Sequence, residues 1–169
     1  MDIFILHAVN NLSASSVGSV VSIALAQWLI WVLLAVVVGL MFKKNGARAL
    51  LKQLVVGVVL LAIVFGVVNV IKMLVQRDRP FIDQSIELVI SAPTTAGSFP
   101  SSHAALAVAI VSLLYIFRIH VSKQTIGVLV VLALLVGVGR IMVGVHFPSD
   151  VLVGFVVGAI IPFAAKKFL

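Results

Sequence analysis

VGSVVSIALAQWLIWVLLAVVVGLMF, residues 17–42, carries no charged side chain. A bilayer core takes about 20 mostly apolar residues per helix, so this stretch reads as a membrane span. The rest of the chain agrees with it. Of 169 residues, 63% are apolar and 10% charged, and mean hydropathy is +1.31. A soluble domain holds about 45–50% apolar and 25% charged residues. Cytosolic globular proteins, disordered chains and soluble nucleic-acid binders are thereby excluded, and no nucleic-acid partner is expected. There is no cysteine, hence no disulfide framework, thiol nucleophile or thiolate metal site.

Working outward from that span, the preceding Asn10–Ser16 run is polar and reads as a turn with a helix cap. Asp2–Asn11 is too short to cross and is expected at the interface. It lacks the basic start of a cleaved signal. On the other side, Gln53–Ile71 forms a second span, bracketed by Lys52 and Lys72, about 30 Å apart on a helix. Ser101–Arg118, Lys123–Arg140 and Ser149–Lys166 are each just long enough to cross if their end charges snorkel outward. The expected fold is all-α: a polytopic membrane helix bundle of about five transmembrane helices plus a short N-terminal interfacial helix. It forms one domain over residues 1–169, with no internal repeat and no low-complexity linker.

Five alternating spans sort the charges. Lys43, Lys44, Arg48, Lys52, Arg118, Lys123, Lys166 and Lys167 fall on one side, which the positive-inside rule makes cytoplasmic, the C-terminus with it. The other side receives all the acidic residues: Asp2, Asp78, Asp83, Glu87 and Asp150. It also receives Lys72, Arg77, Arg79 and Arg140, four cations where the rule disfavours them. A bound anion is the simplest reason for them.

Three short motifs face that compartment. In the first, Lys72–Pro80, a continued helix would set Lys72 and Arg79 on one face, and Pro80 would end it. Two cations there suit a phosphate or diphosphate. In the second, Ser98-Phe99-Pro100-Ser101-Ser102-His103, a helix start turns free N–H groups toward whatever precedes it. Ser101 or Ser102 can cap and also donate to an anion, and His103 is aimed at the same spot. In the third, Gly139 to Asp150, Arg140 ends a span and His146 sits in the return. Asp150, four residues on, can hold one ring nitrogen of His146 and free the other to attack or accept a proton. Each motif also has a plain structural reading: a juxtamembrane basic cluster, a capped helix start, a loop histidine bonded to a cap residue. His7 and His120 read as interfacial residues. No metal is expected, because the two motif histidines lack a third ligand and four cations would repel a divalent ion.

In order, the motifs read Lys-x6-Arg-Pro, Pro-Ser-x-His and Arg-x5-His-x3-Asp. Together they resemble the phosphatidic acid phosphatase type 2 superfamily of membrane lipid phosphatases, related to the vanadium haloperoxidases. The resemblance runs from about the second span to the C-terminus. The Arg-Pro-Phe run and the Ser-Phe-Pro-Ser-x-His run are most similar to the bacterial undecaprenyl-diphosphatase branch. The resemblance implies that Lys72, Arg79, Arg140, Ser101 and Ser102 bind phosphate oxygens. It implies that His146 is the nucleophile forming a phosphohistidine, that Asp150 orients it, and that His103 is the general acid. This chain departs from the family's pattern at Gly139, where serine is frequent, and at Ser102, where glycine or, in that branch, aspartate is frequent.

The activity expected is metal-independent and cofactor-free hydrolysis of a lipid phosphate or diphosphate in the bilayer, on the extracytoplasmic face of a bacterial cell membrane. Undecaprenyl diphosphate is the first substrate expected, with phosphatidylglycerophosphate and phosphatidic acid as alternatives. A small anion transporter would set its binding charges near the bilayer midplane. Here they stand at span ends. A silent lipid-binding scaffold would have no use for His103, His146 and Asp150 together.

Overall fold

Ser15 starts the first long helix. Its backbone is extended, and its hydroxyl accepts the N–H of Gly18 at 3.0 Å, satisfying one donor that a helix start leaves open. In this computed structural model the described residues are 1–83, 86–94 and 97–168. Within the long connection between the first two motifs, 84–85 and 95–96 lie outside them, as does the expected position of the Asp83 side chain.

The order is α1 (Asp2–Asn10), a 3-10 turn, α2 (Ser16–Ile23), a π-helical segment (Ala24–Trp28), α3 (Leu29–Val75), α4 (Pro80–Asp83), α5 (Ser102–Ile116), α6 (Lys123–Met142) and α7 (Pro148–Ala165), closed by a 3-10 turn. There is no strand among the described residues. Four stretches are long and apolar enough to cross a membrane: Ser16–Lys44, Ala47–Val75, Lys123–Met142 and Pro148–Phe168. Helix α5 is a fifth, shorter apolar helix.

Two of the four stretches lie along α3 and its approach. A straight helix of 47 residues would be about 70 Å long. Yet Ala26, just ahead of α3, accepts a bond from Arg140, and Lys72, near its end, bonds Gly97 and Ser98. Arg77, two residues past that end, reaches Asp150. Both ends therefore meet the same end of the bundle, and the two stretches run in opposite directions, as the two expected spans.

Helix α5 is the central element, touching α3, α6 and α7. Its contact with α7 is made close by glycines. A Cβ at Gly154 would stand 2.6 Å from the Ser101 carbonyl oxygen, and one at Gly158 would stand 2.1 Å from that of Ala105. Small residues let membrane helices approach backbone to backbone, where packing replaces the missing hydrophobic drive. Leu33, Val37, Leu114 and Val136 fill the centre. Trp28, Trp31, Phe65, Leu152 and Ile160 point outward, as side chains against lipid do. With 15 residues, α5 spans only about 22 Å, short of the ~30 Å hydrocarbon core. Its N-cap, Ser101, is fully buried, so the helix starts inside the end of the bundle.

The N-terminal helix forms as expected, and it is also docked. Leu6 is completely buried. Asn10 Nδ2 donates to the carbonyls of Met142 (2.7 Å) and Glu87 (2.9 Å), and its Oδ1 accepts the Glu87 N–H. Phe4 remains outside, so α1 keeps an apolar face for the interface.

Candidate active site

The first motif does not continue as a helix. Helix α3 stops at Val75, and Gln76 takes a left-handed conformation (φ 47°, ψ 37°) whose N–H bonds the Lys72 carbonyl. The polar run Gln76-Arg77-Asp78-Arg79 turns back over the bundle end, where Arg77 reaches Asp150 and Arg79 reaches the Val145 carbonyl. Lys72 and Arg79 therefore do not share a helical face, and Pro80 opens α4 rather than ending α3, a position its fixed φ and missing N–H suit. Lys72 Nζ donates to the carbonyls of Gly97 (2.8 Å) and Ser98 (3.1 Å), which leaves one ammonium proton for an anion. Arg79 is buried, and its Nη1 donates to the Val145 carbonyl at 3.2 Å, next to His146.

The second motif begins α5. Ser101 is the N-cap, but its side chain makes no capping bond, and its own N–H donates to the Asp150 carbonyl at 3.0 Å. That bond ties the second motif to the third. It also removes the Ser101 N–H from phosphate binding, so the hydroxyl is what remains. Its Oγ is buried without a hydrogen-bond partner among the described residues, as is Nε of Arg140. Buried polar atoms are nearly always paired, so both donors are open to a partner such as an anion. Ser102 and His103 occupy the first turn of α5, half-buried.

The third motif supplies the most buried polar groups. Asp150, in the first turn of α7, is fully buried. Its Oδ2 accepts the Phe147 N–H at 2.9 Å, and its Oδ1 accepts from Arg77 Nη1 at 2.7 Å. His146 Nδ1 faces Oδ2 at 3.6 Å, aimed at the carboxylate but beyond hydrogen-bond length. Catalytic bonds are often this loose before substrate binds. Burial, with the Arg140 and Lys72 charges, outweighs the pull of Asp150 and holds the His146 pKa down to about 3. The ring is therefore neutral at neutral pH, and Nε2 faces away from Asp150; a proton kept on Nδ1 by that carboxylate would leave Nε2 its lone pair.

The charges of Arg140, Lys72 and Arg79 all bear on His103, and those of Arg140 and Lys72 on His146. The three motifs thus converge at one end of the bundle. Sequence reasoning missed two residues of this centre. Arg77 pairs with Asp150 and with Asp2 (2.9 Å), and Asp2 reaches in from α1. Burial alone would raise the Asp2 carboxyl, but bonds from Ser149 and Arg77 outweigh it and hold the pKa below its ordinary value. The only signal for Arg77 was its place among the four cations. Asp2 gave none.

Gly139 has a structural explanation. A Cβ there would lie 2.6 Å from the Ala26 nitrogen and 2.7 Å from Leu25 Cβ. These belong to the π-helical segment, a feature often found at functional sites. The Ala26 carbonyl in turn takes Arg140 Nη1 at 3.4 Å. Gly139→Ser, which would introduce the residue frequent in the family, is expected to destabilise by about 1–3 kcal/mol through overpacking and to misplace Arg140. Thermal melting in detergent checks this. A serine variant with the wild-type melting temperature would show that α6 can accept the side chain.

Residues 51–169 match the PAP2 superfamily. Over 93 residues the chain is 41% identical to undecaprenyl-diphosphatase BcrC of Bacillus subtilis, covering 54% of this chain and 45% of that protein. Over 120 residues it is 32% identical to phosphatidylglycerophosphatase B of Bacillus subtilis, covering 64% and 56%. The matched stretches span about half the length of these two relatives. The fold is similar to the crystal structure of Aquifex aeolicus LpxE, with a TM-score of 0.73 and 26% identity, covering 98% of this chain and 94% of that one. It is also similar to a crystal structure of a transmembrane PAP2-type phosphatidylglycerolphosphate phosphatase from Bacillus subtilis. There the TM-score is 0.62 at 21% identity, covering 98% and 92%, a likeness of fold.

Proposed function

The chain belongs to the PAP2 superfamily, and we propose on that premise that it is an integral membrane phosphatase of lipid phosphates and diphosphates, working through a phosphohistidine. The observation that carries this is a neutral, buried His146 backed by Asp150 and under the charges of Arg140 and Lys72, with Arg79 bonded to the Val145 carbonyl beside it and Ser101 tied to Asp150. Cations fixed in a water-poor site stabilise the charge on a transferring phosphoryl group. Nε2 of His146 attacks phosphorus as the bond from phosphorus to the leaving oxygen breaks, and that oxygen takes a proton from His103, which the anionic substrate keeps protonated in the complex. Water then hydrolyses the phosphohistidine, with His103 acting as base. Ser102, on the first turn of α5, adds a hydroxyl to the phosphate cradle. The whole chain acts as one domain.

Undecaprenyl diphosphate is the proposed substrate, a reading supported by the 41% identity to a protein named for that activity. Phosphatidylglycerophosphate is the second reading, supported by the 32% relative. The eight cations near the other span ends support a site on the extracytoplasmic face of a cell membrane and a cytoplasmic C-terminus.

The test is phosphate release by purified protein in detergent from polyprenyl diphosphate, phosphatidylglycerophosphate and phosphatidic acid. Polyprenyl diphosphate is expected to be hydrolysed fastest. No release from any of the three would refute the phosphatase reading. Because side-chain cations supply the charge that a metal would, activity is expected to survive EDTA. Complete loss in EDTA, restored by magnesium, would overturn the metal-independent mechanism.

A further inference from the structure

Asp150 is a fully buried carboxylate whose cationic partner within salt-bridge distance is Arg77. A buried charge keeps its place only while its counterion does. Arg77 lies beyond the end of α3, so helical geometry does not hold it. It is held by Ser149 Oγ, which accepts from Nη1 at 2.7 Å, by the face of Phe147 at 3.9 Å, and by Asp2 Oδ2, which accepts from Nη2 at 2.9 Å. Asp2 also accepts the Ser149 N–H at 3.0 Å and the Ser149 hydroxyl. A bonded path thus runs from Asp2 through Arg77 to Asp150, whose Oδ2 faces His146 Nδ1 at 3.6 Å.

Docking of α1 does not need this path. Leu6 is completely buried, and the Asn10 and Ser13 side chains bond the Met142 carbonyl. Asp2 is therefore available for a different task, that of fixing a guanidinium. Without it, the Arg77 head would keep Asp150 and Ser149 on Nη1 but lose the anion on Nη2 that fixes the tilt of the guanidinium plane.

We propose that Asp2, acting through Arg77, is a positioning residue for the His146–Asp150 pair, so that helix α1 belongs to the catalytic apparatus while touching no substrate. The proposal rests on the phosphatase reading for the roles of His146 and Asp150.

The test is a double-mutant cycle of Asp2→Asn and Arg77→Gln in the full chain, with a second readout that needs no turnover. Asp2→Asn is expected to lower kcat about 10-fold, on the scale of outer-shell partners, with KM within about twofold. Arg77→Gln should lose more, and the double variant no more than Arg77→Gln alone, because coupled residues are non-additive. Asp2→Glu should restore part of the rate. Losses that simply add, or an Asp2→Asn enzyme at wild-type kcat, would overturn the proposal. In parallel, 15N chemical shifts of the His146 ring read its tautomer. The wild type should hold one neutral tautomer, with the proton on Nδ1, and Asp2→Asn should give a mixture. An unchanged tautomer in Asp2→Asn overturns the proposal even if the wild type releases no phosphate, a result that would instead refute the phosphatase reading.

Discussion

His146→Ala is expected to reduce phosphate release by about 10⁴-fold or more on every substrate, the scale on which losing a covalent nucleophile stops an enzyme. The imidazole is a neutral, buried nucleophile where the motifs meet, and its Nδ1 faces Asp150, so Nε2 faces away from it. The cations remain in the variant, so phosphate still binds; what is lost is attack. KM should therefore move little while kcat collapses. Asp150→Asn should fall roughly 10³–10⁴-fold, as when a carboxylate that holds an imidazole is neutralised. Melting in detergent must stay within a few degrees of wild type for either result to count. Wild-type rates from a well-folded His146→Ala would remove it as nucleophile.

His103→Ala is expected to separate substrates by leaving group. An acid that protonates the departing oxygen contributes typically about 10²–10⁴-fold. That contribution is needed most for a lipid alcohol, the leaving group of phosphatidic acid. It is needed less for the phosphate leaving a diphosphate, which is already fairly acidic. It is needed least for the nitrophenolate of p-nitrophenyl phosphate, which departs as an anion. The variant should lose activity in that order, while His146→Ala should lose all three alike. The geometry behind this is the seat of His103 in the first turn of α5, under the charges of Arg140, Lys72 and Arg79. Equal losses across the three substrates would make His103 a phosphate ligand rather than an acid.

What the sequence alone determined follows from local physics. Apolar runs too long and too charge-free for water force membrane helices, so the spans were legible to within a few residues. The grouping of Lys72, Arg79, His103, Arg140, His146 and Asp150 at one bundle end was legible too, because alternating spans carry each motif to the same side. The left-handed turn at Gln76 was not legible, since the Lys72–Arg79 spacing fits a helix equally well. Nor was the need for Gly139, whose reason is a π-helical segment more than a hundred positions earlier. Asp2 and Arg77 stand 75 residues apart, and Arg77 and Asp150 a further 73. Contacts over such separations leave no periodic trace in a sequence. They exist because burying the Asp150 carboxylate demands a counterion, and only the packing of α1 and the turn after α3 around α7 decides which residues supply and hold it.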